Sequence, residues 1–133
     1  MSKYNARKVE VDGIKFDSLL ESKYYSYLLE QQKEGIVSHF KVQPRYLLQE
    51  SFKKNGINFR KIEYVADFEV TKSDGSVEVI DVKGMILPAF QIKRKLFERY
   101  YMDYTLKLVT YVKKYGGWIE LDELKRLRKG YNR

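Results

Sequence analysis

Four charged residues carry the chemistry this chain can offer: Glu21, Asp67, Asp81 and Lys83. Asp81 and Lys83 lie two apart in the run Glu78-Val79-Ile80-Asp81-Val82-Lys83-Gly84. On a strand such residues project side by side from one face. Val79, Ile80 and Val82 are apolar and β-forming, the composition of a strand covered on both faces, where a charge is costly unless it is paired or binds metal. Carboxylates converging from separate elements make the hard-oxygen site that Mg²⁺ or Mn²⁺ prefers, and the Val82 carbonyl is spaced to approach the same ion. Such an ion lowers the pKa of bound water and neutralises charge growing on a phosphodiester. Lys83 would orient the attacking water or stabilise the pentavalent phosphate. Each residue also has a plainer use. Glu21 stands three after Ser18, as in a capping box. Asp67 fits an exposed acid on a half-buried strand, and Asp81 with Lys83 fits an ion pair of small energetic weight. The joint order of these residues favours the site over the separate readings.

The elements that must position them can be read along the chain. Residues 1–8 read as a polar, basic arm, and residues 9–16 alternate about Asp12-Gly13 as a short β-ribbon. Asp17-Ser18 offers an N-cap to a helix with Leu20, Tyr24, Tyr27, Leu28 and Gln31 at helical spacing, ending near Gly35. Residues 36–49 are extended: Pro44 excludes helix, and Val42, Tyr46 and Leu48 fall on one face. Residues 51–60 form a basic, polar connection with a turn at Asn55-Gly56. A strand over 62–70 puts Tyr64, Ala66, Phe68 and Val70 on one face. Ser73-Asp74-Gly75 then turns it into the strand 77–83, so Asp67 and Asp81 are expected on strands paired through one hairpin. Gly84–Pro88 reads as a loop, with Gly84 allowing a close backbone approach. A helix from about Ala89 to Tyr101 turns Leu96, Phe97, Tyr100 and Tyr101 inward, with Lys93, Arg94, Lys95 and Arg99 elsewhere. A strand over 105–113, a turn at Gly116-Gly117 and a basic helix over about 119–129 complete the chain.

A length of 133 residues with 44% hydrophobic content supports one folded domain spanning 1–133. The absence of cysteine excludes disulfides and thiolate-bound zinc. With no signal-like or membrane-length apolar run, a soluble cytoplasmic protein without membrane contact is expected. The net charge of +8 is uneven: residues 92–133 hold 12 Lys/Arg against 5 Asp/Glu. That bias suggests a polyanion, with Lys93, Arg94, Lys95 and Arg99 as candidate DNA contacts. The 12 Tyr could stack RNA bases, although their spacing suits core packing better.

The segments Phe16-Asp17-Ser18-Leu19-Leu20-Glu21, Tyr64-Val65-Ala66-Asp67-Phe68 and Val79-Ile80-Asp81-Val82-Lys83-Gly84 resemble the PD-(D/E)xK nuclease superfamily. The chain looks most like small phage-encoded endonucleases related to Holliday junction resolvases. The resemblance spans about residues 16–113 and implies an α/β, restriction-endonuclease-like αβββαβ core, with a mixed sheet of about four strands flanked by helices. It implies that Asp67 and Asp81 bind metal, that Lys83 acts in catalysis and that Glu21 completes the site. It also makes Gln91 and Lys93 further candidates, since such families often place a polar residue there. The proline that gives the family its name is Ala66 here. The implied activity is a Mg²⁺- or Mn²⁺-dependent DNA endonuclease of phage or prophage origin, working in recombination, replication or packaging in a bacterial host. A homodimer follows by analogy, since cutting both strands of a junction needs two sites. The alternatives are a non-catalytic DNA-binding module of the same fold and an RNA-binding or RNA-processing protein.

Overall fold

The computed structural model describes residues 8–83 and 86–131. The chain opens with the ribbon β1 (Val9–Val11) and β2 (Ile14–Phe16), then α1 (Leu19–Lys33) and β3 (Val37–Val42). β4 (Arg45–Gln49), β5 (Phe52–Lys54), β6 (Ile57–Phe59) and β7 (Ile62–Val65) follow, then β8 (Phe68–Lys72) and β9 (Val77–Val82). The helix α2 (Pro88–Tyr100) leads to β10 (Thr105–Val112), β11 (Gly117–Glu120) and α3 (Leu121–Tyr131). The main sheet has five strands in the order β11-β10-β9-β8-β3. β9 and β10 are parallel and the other neighbours antiparallel. Two parallel neighbours need a long crossover, and α2 lies in it. The protein is therefore mixed α/β, with the expected succession of helix, three antiparallel strands, crossover helix and parallel strand.

The two faces of this sheet carry separate apolar clusters. α1 covers one with Tyr24, Tyr25 and Leu28 against Phe68, Val70 and Ile80. α2 covers the other with Phe97 against Tyr46, Tyr64, Val79 and Leu108. Ser18 caps α1 as expected, its hydroxyl accepting the Glu21 N–H at 3.1 Å. Tyr25 is buried beside the β1–β2 ribbon and donates to the Asp12 carboxylate at 2.8 Å. Tyr27, at the same helical spacing, stays partly exposed beside Tyr24 and Trp118. On α2 the inward seam is Phe90, Leu96 and Phe97, continued by Tyr101 at the helix end. Tyr100, expected inward, is 60% exposed because it lies about 100° from its neighbour Tyr101 around the helix.

The stretch 62–70 is two strands rather than one. β7 pairs with β4 in a separate ribbon and β8 joins the main sheet between β3 and β9. Tyr64 and Ala66 accordingly pack in the α2-side cluster, while Phe68 and Val70 pack in the α1-side cluster. Val42 likewise parts from Tyr46 and Leu48, because the chain turns at Gln43, whose φ is +55°. At this double corner Ala66 N–H donates to the Pro44 carbonyl at 3.1 Å. The basic connection over 51–60 is itself a hairpin, β5 pairing with β6. Residues 117–120, expected as a turn and the start of a helix, instead form the edge strand β11 beside β10. The Ser73-Asp74-Gly75 hairpin forms as expected, with the Asp74 carboxylate accepting the Ser76 N–H at 2.9 Å.

Candidate active site

Asp67 occupies the corner between β7 and β8, where three backbone groups fix it. Its N–H donates to the Ile80 carbonyl at 3.1 Å and its carbonyl accepts the Gln43 N–H at 2.9 Å. Its carboxylate accepts the Val82 N–H at 2.7 Å. The N–H and carbonyl of one strand residue point the same way, so the Val82 carbonyl also faces the Asp67 side of β9.

Asp81 is 3% exposed on β9, on the same face as Val79 and therefore toward α2. The Tyr64 hydroxyl donates to its Oδ2, and Lys83 Nζ lies 3.7 Å from the same oxygen. Lys83 continues the strand, its N–H donating to the Val109 carbonyl at 2.8 Å. Its ammonium also sits 4.3 Å from the centroid of the Phe90 ring, an attraction that adds to the ion pair in fixing its position. The expected side-by-side projection of Asp81 and Lys83 is thus present, in a partly desolvated setting.

Burial pushes all three carboxyl groups up. The Asp67 carboxyl rises from 3.8 to about 9, through burial first and then the charges of Asp81 and Glu21. Asp81 is also raised by burial, opposed by Lys83 and by hydrogen bonds from Tyr64 and Asp67. Both aspartates thus favour their protonated forms, and Lys83 and Tyr64 support the charge on Asp81. Glu21 is raised by burial and by Asp17, with Asp81 contributing; hydrogen bonds at the Asp17 backbone and the Ser18 hydroxyl oppose the rise. Glu21 thus serves the helix cap and belongs electrostatically to the acidic group at once. Tyr64 is driven far above its ordinary value by burial and by Asp81, and stays a proton donor.

A cleft of about 370 Å³ reaches Glu21 and Asp67, lined with them by Lys15, Gln43 and Arg45 among others. Lys15 and Arg45 bring cations to its rim, and the Gln43 side chain ties the corner to β2 through the Lys15 carbonyl at 2.8 Å. Glu21, Asp67, Asp81 and the Val82 carbonyl form an all-oxygen, acidic donor set of the kind that suits Mg²⁺ or Mn²⁺. As placed, no three His, Cys, Asp or Glu side chains among the described residues stand close enough to hold an ion together. The residues fit such an ion in chemical type, and the raised carboxyl groups of Asp67 and Asp81 are a place where a cation would relieve the cost of burying charge.

Of the other expected site residues, Lys93 and Arg94 are half-buried beside the α2 seam, whereas Gln91, Lys95 and Arg99 are exposed. Among the described residues none of these five touches the acidic group, and Gly84 lies outside the described residues. Sequence reasoning missed Tyr64, Gln43, Lys15 and Arg45 as site residues. A buried tyrosine needs a hydrogen-bond partner, and Tyr64, three residues before Asp67, could have been found that way. Lys15 and Gln43 are 28 positions apart, and nothing local in the chain signals that they meet.

No curated protein and no solved structure matches the chain. The family described as "Protein of unknown function (DUF1064)" matches over residues 1–117, most of the chain, and the protein belongs to that family.

Proposed function

We propose that this protein is a divalent-metal-dependent DNA endonuclease. The observation that carries the reading is the Asp67–Asp81 pair with Lys83 beside Asp81, its Asp67 member lining, with Glu21, a cleft that Lys15 and Arg45 also line. Glu21, Asp67, Asp81 and the Val82 carbonyl would hold a Mg²⁺ or Mn²⁺ ion, which when bound would neutralise phosphate charge and make a metal-bound water more acidic. Tyr64 and the Val82 N–H hold the two aspartates in place, and the Lys83 ammonium beside Asp81 would stabilise charge growing on a phosphate. Lys15 and Arg45 would steer the backbone into the cleft. Glu21, partly desolvated, would orient the attacking water or complete the ligand set.

One observation favours a second reading, a non-catalytic DNA-binding module: Tyr64 and Lys83 already engage one oxygen of Asp81. Incubation of the wild type with supercoiled plasmid and a synthetic four-way junction, with and without Mg²⁺, separates the two. Metal-dependent nicking that Asp81→Asn abolishes while duplex binding persists supports the enzyme; binding with no cleavage of either substrate supports the module. A role in phage recombination, replication or packaging, and a homodimer that supplies two sites to a junction, extend the enzyme reading. Leu87, Ile92, Tyr100 and Met102, all more than half exposed, supply apolar surface on and beside α2 for such a dimer.

A further inference from the structure

The hairpin β5–β6 is built unlike any other part of the chain. Every residue from 50 to 62 is exposed. The segment 51–61 carries Lys53, Lys54, Arg60 and Lys61 and no acid. Phe52 and Phe59 oppose each other in the register and stack in water, with ring centroids 4.8 Å apart and planes 13° from parallel. Ile57, opposite Lys54, is 56% exposed. The turn is Asn55-Gly56 with φ of +52° and +75°, the two positive values that a tight two-residue hairpin needs. A hairpin of this size is marginal alone, so an apolar pair held in solvent at its base calls for a partner.

The charge selects the partner. A second copy would bring the same cluster of cations against the first, and lysines on a strand edge resist edge-to-edge pairing. A polyanion is complementary. Shape and reach narrow it further: a two-stranded ribbon fits the major groove of duplex DNA. The arm runs from Arg45, on the cleft rim, out through β4 and β5 to Asn55. Ten residues of extended chain span at most about 33 Å, close to one turn of B-DNA.

We infer that the β5–β6 hairpin is an arm that enters a groove of duplex DNA about one helical turn from the cleft, its lysines and arginine on the phosphates and the Phe52–Phe59 pair against the base edges. This rests on the nuclease reading for the position of the cleft, but binding by the arm is measured separately from cleavage. The experiment follows anisotropy of a labelled duplex of about 30 base pairs, roughly three turns, in chelator across a salt series. Replacing Lys53, Lys54, Arg60 and Lys61 together by Ala should lower the slope of log affinity against log salt by roughly three to four, at about 0.9 per phosphate contact. Phe52→Ala with Phe59→Ala should leave the slope unchanged and weaken binding about tenfold or more, the scale of lost contact between aromatics and bases. On duplexes shorter than about one turn the variants and the wild type should converge. Unaltered melting temperatures would show that the hairpin variants remain folded.

Wild-type affinity and slope retained in both variants overturn the arm. Hairpin-dependent binding to anionic vesicles with none to duplex also overturns it, as does a hairpin-dependent dimer seen by sedimentation without DNA. Hairpin-dependent binding with no cleavage in Mg²⁺ or Mn²⁺ defeats the nuclease reading and leaves the arm standing. A wild type that binds no duplex at all defeats both.

Discussion

Asp67 holds its proton far more tightly in the folded chain than an unfolded aspartate would, and the sign of the resulting pH dependence follows. Below about pH 4 both states are protonated and the group contributes nothing. From there to about 9 the unfolded carboxyl has released its proton and the folded one has not, so stability declines as pH rises. In chelator, Asp67→Asn should remove this decline. A gain of about 1 kcal/mol at pH 8 would move the melting temperature by roughly 4 °C. Excess Mg²⁺ should flatten the wild-type curve, because an ion held by the carboxylates replaces the proton; thermal melts at several pH values, with and without Mg²⁺, read both effects. Lys83→Ala tests a different function of the site. Asp81 keeps Tyr64, so folding and metal affinity should persist while cleavage slows about a hundredfold, the effect of deleting a single stabilising group. Single-turnover assays with saturating enzyme isolate that step.

At the scale of elements, α2 is the side wall of the site. It seats Phe90 under Lys83 and Phe97 against Tyr64 and Tyr46. Phe97 is fully buried, so Phe97→Ala should cost about 3–5 kcal/mol by denaturant titration and loosen Tyr64 with it. How much of this was legible in the chain depended on range. Ser18 as a cap, the Ser73-Asp74-Gly75 turn and the alternation through Asp81 are local signals, and all three elements formed where they were expected. The division of 62–70 into β7 and β8 was not legible, because period-2 alternation continues unbroken through Ala66 and Asp67 while the strands change sheets. The acids Asp67 and Asp81 stood out by type and spacing. Tyr64 as the donor to Asp81, and Lys15 with Arg45 on the rim, depend on partners brought together by the fold.

For the molecule as a whole, the exposed apolar side chains among the described residues include Leu87, Ile92, Tyr100 and Met102 on and beside α2 and Phe52, Ile57 and Phe59 on the β5–β6 hairpin, and α3 ends in the basic Arg128 and Lys129. Among the described residues no helix is long and apolar enough to cross a membrane. If the outer side of α2 forms a dimer, Ile92→Glu should shift micromolar protein to monomer in sedimentation, and junction cleavage should fall more than nicking of plain duplex. The connection of the hairpin to the body has its own consequence. The ribbon that carries it closes on the bond from Ala66 N–H to the Pro44 carbonyl, one residue before Asp67. Proline has no such hydrogen to give. Ala66→Pro should therefore destabilise this protein by about 1–3 kcal/mol and loosen the ribbon at its root; hydrogen exchange along β4 and β7 would record the change. Clasp and proline therefore exclude each other at position 66: a related chain with proline there must close its ribbon by some other bond.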